Sequence, residues 1–110
     1  MRKGWQQRKI HENAWGLHFT RWYIVAPSGN HYCMYRGAYF KTIFLEKDHS
    51  DCHKSERIGR TYQEGLKHIY ELEASGNYDK KLSDAIKNSH ECQRLFAAPQ
   101  SNKTWFSMPA

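Results

Sequence analysis

Alternating strand-forming residues predict a small antiparallel sheet in the first half of the chain. Residues 17–25 (LHFTRWYIV) are rich in strand formers and are followed by a Pro-Ser-Gly-Asn turn. Residues 31–36 and 38–46 have the same character and are separated by one glycine. Because short connections make consecutive strands antiparallel, we predict a three-stranded meander over residues 15–47.

The first predicted strand contains a charge where an apolar residue is expected. The odd-numbered positions of residues 17–25 share one face, and Arg21 interrupts an otherwise apolar row there. A cation in such a row requires a partner, which makes Arg21 a candidate for function. We expect one face of the sheet to pack on helices and the second, aromatic face to contact something else.

Helical spacing of apolar residues predicts a pair of helices over residues 61–96. Thr61 and Glu64 have the spacing of a capping box at a helix start, and Gly76 stands where a helix ends. The short link through Gly76 makes the two helices antiparallel or sharply angled. Residues 48–60 are polar and lack a period, so we predict a loop there.

One α+β domain accounts for most of the chain. A length of 110 residues is enough for one hydrophobic core. We predict a single domain over residues 1–96, beginning with a basic arm at residues 1–14 and followed by a tail at residues 97–110. Its predicted fold is a three-stranded antiparallel β-meander packed against a C-terminal pair of α-helices.

Positive charge and aromatic residues are concentrated in residues 1–47. This segment holds eight Lys or Arg against two Glu, and it therefore carries a net charge equal to the +6 of the whole chain. Cations hold a polyanion and aromatic rings stack on its bases, so this composition favours a nucleic-acid-binding surface. It also fits a small aromatic sheet core with a basic rim, in which case the same residues have no ligand.

The candidate binding residues follow from that concentration of charge and rings. The Lys and Arg side chains of the sheet and arm would contact phosphates, and the aromatic rings would pack on bases or sugars. The predicted nucleic-acid-binding or partner-binding residues are Arg2, Lys3, Arg8, Lys9, Arg21, Trp22, Tyr32, Arg36, Phe40 and Lys41.

One stretch resembles known DNA-binding architectures. The segment from Trp22 to Thr42, with its Gly29 turn and with Gly37 and Tyr39 before Thr42, is followed by a predicted helix. This order resembles the three-strands-then-helix layout of plant ethylene-response-type domains and of phage integrase arm-binding domains. In those domains the sheet enters the DNA major groove. The resemblance covers less than half of the chain and implies an architecture, without any assignment of binding residues.

The histidines and cysteines offer an alternative reading as a zinc site. His49, Cys52 and His53 lie within five residues, and His90 stands two residues before Cys92. The His49–Cys52 spacing suits zinc, whereas side chains two apart on a helix point about 200° away from each other. We therefore expect no metal or other cofactor, with zinc at His49, Cys52, His53 and His90 as the alternative.

Catalysis is a further alternative. Asp48, Asp51 and Glu56 could hold Mg²⁺ for phosphodiester cleavage, with His49 or His53 as the general base. However, a loop of this composition is usually only solvated. We expect a protein that is not an enzyme, with a metal-dependent nuclease as the alternative.

The expected function is non-catalytic binding of DNA or RNA by the basic, aromatic sheet and the arm. The alternative is a small inhibitor or adaptor, encoded by a phage or mobile element, that grips an acidic protein surface and blocks a host nucleic-acid-handling complex. No apolar run reaches the roughly 18 residues of a membrane span, and no secretion signal is evident. We therefore expect no membrane partner, and a cytoplasmic or nucleoid-associated protein that is not secreted.

Overall fold

Five strands and three helices form the fold in this computed structural model, which describes residues 1–14, 16–37, 41–50 and 54–97. The elements in chain order are β1 (Gln6–Ala14), β2 (Leu17–Val25), β3 (His31–Arg36), β4 (Ile43–Glu46), β5 (Ser55–Gly59), α1 (Tyr62–Ser75), α2 (Lys80–Lys87) and α3 (His90–Ala97). No helix among the described residues is long and apolar enough to cross a membrane.

The sheet has five antiparallel strands in sequence order, so the three-stranded prediction is too small. The predicted arm contains β1, which pairs with β2 along its whole length, from Gln6 opposite Val25 to Ala14 opposite Leu17. The predicted loop contains β5. Both extra strands lie at the edges of the sheet, where polar residues are tolerated because one side of the strand faces solvent.

Residues directly opposite one another on neighbouring strands share a face of the sheet, and this register divides the core in two. On one face, α1 covers a cluster formed by Trp22, Ile24, Met34, Ile43 and Leu45 together with its own buried residues. We call this side the α1 face. Gly65 of α1 lies very close to the sheet, because a Cβ atom there would lie 2.7 Å from Cγ2 of Ile43.

The opposite side of the sheet carries a smaller core. Tyr23 and Cys33 pack there against Ile86 of α2 and Cys92 of α3, and we call this side the α2–α3 face. Helices therefore cover part of both faces. The predicted pair of helices on one side is wrong in number and in placement, although the α+β class is confirmed.

The two predicted capping signals of α1, one at each end, are confirmed. The Thr61 side chain accepts a hydrogen bond from the Glu64 amide at 3.1 Å, and Gly76 ends α1 with a positive φ of 77°. The predicted second helix divides into α2 and α3 at Asn88 and Ser89, where the Ser89 hydroxyl accepts a hydrogen bond from the Cys92 amide at 3.3 Å.

Candidate nucleic-acid interface

The predicted binding residues do not form one surface, because the register distributes them over both faces. Lys9 lies opposite Trp22, and Arg36 lies opposite Thr20, which places Lys9 and Arg36 on the α1 face. Arg8 lies opposite Tyr23 and therefore belongs to the α2–α3 face, as does Arg21. Neighbouring residues of β1 thus point their charges in opposite directions.

The two predicted stacking residues that the structure describes are core residues. Trp22 is 3% exposed and packs against Tyr62 of α1, with ring centroids 5.4 Å apart. Tyr32 is 5% exposed, and its hydroxyl donates to Oε1 of Glu73 at 2.6 Å. This burial leaves neither ring with an open face for a nucleic-acid base.

Arg21 has its partners inside the fold. Its Nε atom donates to Oε1 of Glu12 at 2.6 Å, and its Nη1 atom donates to Oε2 of Glu46 at 2.5 Å. The same Nη1 atom contacts Sγ of Cys33 at 3.2 Å. Burial raises the pKa of Cys33, so this thiol is neutral near pH 7 and the two carboxylates balance the guanidinium. A charge balanced in this way is a poor phosphate ligand.

His49, one of the candidate metal ligands, is held by the same cluster. Its Nδ1 atom forms a hydrogen bond with Oε1 of Glu46, and this bond raises the pKa of His49 against the opposing effect of burial. His90 is exposed at the start of α3, and Cys52 and His53 lie outside the described residues. Within the described part of the chain, no three His, Cys, Asp or Glu side chains are grouped to hold a metal ion.

Arg8 serves to dock a helix. Its guanidinium lies over the ring of Phe96, with Cζ 4.6 Å from the ring centroid, and its Nε atom donates to the Leu95 carbonyl at 3.2 Å. Arg8 therefore connects β1 to the C-terminal end of α3. The sequence predicts that Arg8 binds a ligand, whereas in the structure its guanidinium holds α3 against β1.

Lys9 and Arg36 flank an open groove on the α1 face. The groove has a volume of about 380 Å³ and is lined by Gln7, Lys9, Trp22, Arg36 and Tyr62. We call these five residues the basic groove. Lys9 is exposed, and Cζ of Arg36 lies 5.7 Å from the Trp22 ring centroid. Tyr62 is not among the binding residues predicted from the sequence.

The orientation of the groove lining is set by one hydrogen bond and by the start of α1. The Tyr62 hydroxyl donates to Oε1 of Gln7 at 2.6 Å, which joins the first residue of α1 to β1. Among the described residues no acceptor contacts the amide nitrogen of Gln7, so its two donor hydrogens remain for a ligand. The groove therefore offers two cations and an amide donor.

The sheet surface beyond the groove continues with neutral and basic residues. His11 lies opposite Thr20, and Asn13 lies opposite His18, all on the α1 face. Glu12 is the one acidic residue in β1, β2 and β3, and it points to the α2–α3 face, where it binds Arg21. The α1 face of these three strands consequently presents no carboxylate to a polyanion.

Of the remaining predicted residues, none that the structure describes lines the groove. Arg2 packs on α1, with Cζ 4.1 Å from the Tyr70 ring centroid, and its backbone amide donates to the Tyr70 hydroxyl at 3.0 Å. Lys3 is exposed in the adjacent turn, and Lys41 is exposed just before β4. Phe40 lies outside the described residues.

Comparison with known proteins assigns no family to the chain. The chain matches no protein-family model, no curated protein and no solved structure.

Proposed function

We propose that the protein binds DNA or RNA without catalysis, and that the basic groove holds the sugar-phosphate backbone. One observation carries the proposal: Lys9 and Arg36 flank a groove on the α1 face, where the described residues of β1, β2 and β3 expose no carboxylate. Among the described residues, neither cation has an acidic side chain within ion-pair distance. Both charges therefore remain available for phosphate oxygens.

The contrast with Arg21 and Arg8 supports this choice of surface. Arg21 is balanced by two carboxylates, and Arg8 is committed to α3. Neither could bind a phosphate without breaking contacts that hold the fold, whereas Lys9 can do so without such a loss. The proposed interface is therefore smaller than the composition alone indicated, and it is confined to the α1 face.

The groove contributes positioning as well as charge. Lys9 and Arg36 supply phosphate contacts, and the Gln7 amide and the half-buried Tyr62 ring line the same groove and can contact a sugar or base edge. His11 and His18 extend the same face. Because phosphate contacts release counterions, we expect weaker binding at high salt. Such a protein would act in the cytoplasm or at the nucleoid.

The test measures binding of fluorescent duplex and single-stranded DNA and RNA by anisotropy across a salt series starting at about 50 mM, where phosphate contacts are strongest. Lys9→Gln and Arg36→Gln should each weaken binding to every sequence and reduce the magnitude of the salt slope by about one. Lys81→Gln, an exposed lysine on α2, is the matched control and should bind like the wild type.

Two outcomes would reject the proposal. One is no detectable binding to any of the four nucleic acids at about 50 mM salt. The other is equal weakening of binding by Lys9→Gln and Lys81→Gln, which would mean that affinity depends on the total charge and not on the position of Lys9. Capture of a partner protein from a nuclease-treated lysate, combined with absent nucleic-acid binding, would instead favour the inhibitor or adaptor.

A further inference from the structure

The side-chain amide of Gln7 is held in one orientation. The Tyr62 hydroxyl donates to Oε1 of Gln7 at 2.6 Å. Burial raises the pKa of Tyr62, so the hydroxyl keeps this proton near neutral pH. If the amide were reversed, its nitrogen would face the hydroxyl, and the hydroxyl proton would have no acceptor among the described residues. The oxygen of the amide therefore stays on the side of Tyr62.

This orientation makes Gln7 a hydrogen-bond donor towards a ligand. A free glutamine amide can turn either its oxygen or its nitrogen to a ligand, so it binds donors and acceptors alike. In Gln7 the oxygen is engaged by Tyr62, and no described residue accepts from the nitrogen. The side of the amide that is turned away from Tyr62 carries two N–H donors. A ligand group that binds there must be an acceptor.

The shape of the basic groove suits an unpaired base better than a duplex. Its volume of about 380 Å³ lies within the range of about 300–1,000 Å³ that is typical of small-ligand sites. Proteins read the edges of paired bases by inserting a helix or a β-ribbon into the major groove, which requires a protruding element. A concave site instead receives a group that protrudes from the ligand. In a nucleic acid this group is a base of a single-stranded segment.

We propose that the basic groove takes an unpaired base of a single-stranded nucleic acid, and that Gln7 selects uracil, thymine or guanine over cytosine and adenine. The favoured bases carry a keto oxygen at the position where cytosine and adenine carry an amino group. The N–H donors of Gln7 match a keto oxygen and oppose an amino group. This selection rests on the proposed function, because the strand must first be held by its phosphates.

Charge determines which groove residue contacts which part of the nucleotide. Lys9 and Arg36 are cations, and a charge-assisted hydrogen bond to a phosphate is about twice as strong as a neutral one. The neutral amide of Gln7 lines the same groove and is left for the base. Gln7 is then the specificity-determining residue, and Tyr62 is a positioning residue because it acts through Gln7.

Uracil and cytosine give the sharpest comparison, because both are single-ring bases and differ in this keto or amino group. In anisotropy measurements at one salt concentration, the wild type should bind oligouridine about fivefold more tightly than oligocytidine of equal length, which corresponds to about one hydrogen bond. Deoxyuridine and deoxycytidine strands test the same ratio for DNA. Annealing the oligouridine to its complement should weaken binding, since a paired base cannot enter the groove.

The variant Gln7→Glu turns an acceptor to the ligand in place of the donors, and it should reverse the preference for oligouridine. Its negative charge repels both oligonucleotides equally, so the ratio of the two affinities cancels this effect. Gln6→Glu makes the same change at the adjacent exposed residue, which points to the α2–α3 face, and it should keep the wild-type ratio. Tyr62→Phe frees the amide of Gln7 to turn and should bring the ratio close to one. Circular dichroism verifies that each variant is folded.

The outcomes separate this inference from the proposed function. Equal binding of oligouridine and oligocytidine by the wild type, still weakened by Lys9→Gln, would overturn the selection by Gln7 and leave the proposed function standing. An equal change of the ratio in Gln6→Glu and Gln7→Glu would also overturn it, as would a duplex that binds as tightly as the single strand. Absence of binding to every oligonucleotide would reject both.

Discussion

Nη1 of Arg21 lies 2.5 Å from Oε2 of Glu46, a carboxylate whose side chain is only 2% exposed. This pair joins β2 to β4 across β3, and Glu12 of β1 binds the same guanidinium from the other side. Four strands are thus connected on one face by a single guanidinium and its contacts. The arrangement makes Arg21 a structural residue whose removal leaves a buried charge behind.

Removal of Arg21 should destabilise the fold strongly. We expect Arg21→Ala to lower the free energy of unfolding by about 3 kcal/mol or more, because Glu46 loses its cationic partner while buried. Urea unfolding followed by circular dichroism measures the change. The double variant Arg21→Met with Glu46→Gln should recover a large part of the loss, since the unpaired charge is removed as well. A loss below about 0.5 kcal/mol for Arg21→Ala would contradict this account of the pair.

A methyl group at Gly65 should be too large for the space between α1 and the sheet. Alanine favours a helix over glycine by about 1 kcal/mol. Overpacking costs about 1–3 kcal/mol, and the added Cβ would lie 2.7 Å from Cγ2 of the fully buried Ile43. We expect Gly65→Ala to lower the melting temperature. Gly37→Ala, which meets nothing within 4 Å, is the matched control and should leave it unchanged.

Glu73 should make the protein sensitive to acid. Ser28, Asn30 and Tyr32 all donate hydrogen bonds to its carboxylate. Burial alone would raise the pKa of Glu73, but these bonds outweigh it and hold the pKa below its ordinary value. The stabilisation is therefore present above the unfolded pKa and is lost as pH falls through the folded pKa.

The variant Glu73→Ala measures that contribution. It should lower the free energy of unfolding at pH 7 by about 1 kcal/mol or more, because the buried Tyr32 hydroxyl loses its acceptor. Unfolding at a series of pH values should show a smaller difference from the wild type in acid. Glu71→Ala, an exposed neighbour on α1, is the control. A difference that grows as pH falls would contradict the assigned direction.

His49 should have the opposite pH dependence. Its hydrogen bond to Glu46 raises the pKa of the imidazole in the folded state. The stabilisation is fully present below the unfolded pKa of about 6.5 and is lost as pH rises through the higher folded pKa. Titration of the His49 ring by NMR should give a pKa above that of a free histidine. Replacement by Gln should remove this part of the pH dependence, and a ring pKa below the free value would refute it.

Features encoded within a few neighbouring residues could be predicted from the sequence. The strands at residues 17–25 and 31–36 coincide with β2 and β3, and the Thr61–Glu64 cap and the Gly76 stop are also confirmed. Each of these depends on local alternation or on a hydrogen bond spanning three or four residues. The strand β1 was missed because its polar sequence has little apolar alternation, and its extended form is stabilised by pairing with β2.

The sequence by itself determined the α+β class, the antiparallel order of the central strands and the concentration of positive charge in residues 1–47. Only the tertiary structure decided which of those charges remain available. Arg21 finds carboxylates nine residues before it and 25 residues after it, and helices cover both faces of the sheet. A period of two shows which residues share a face, but what covers that face depends on contacts between distant segments.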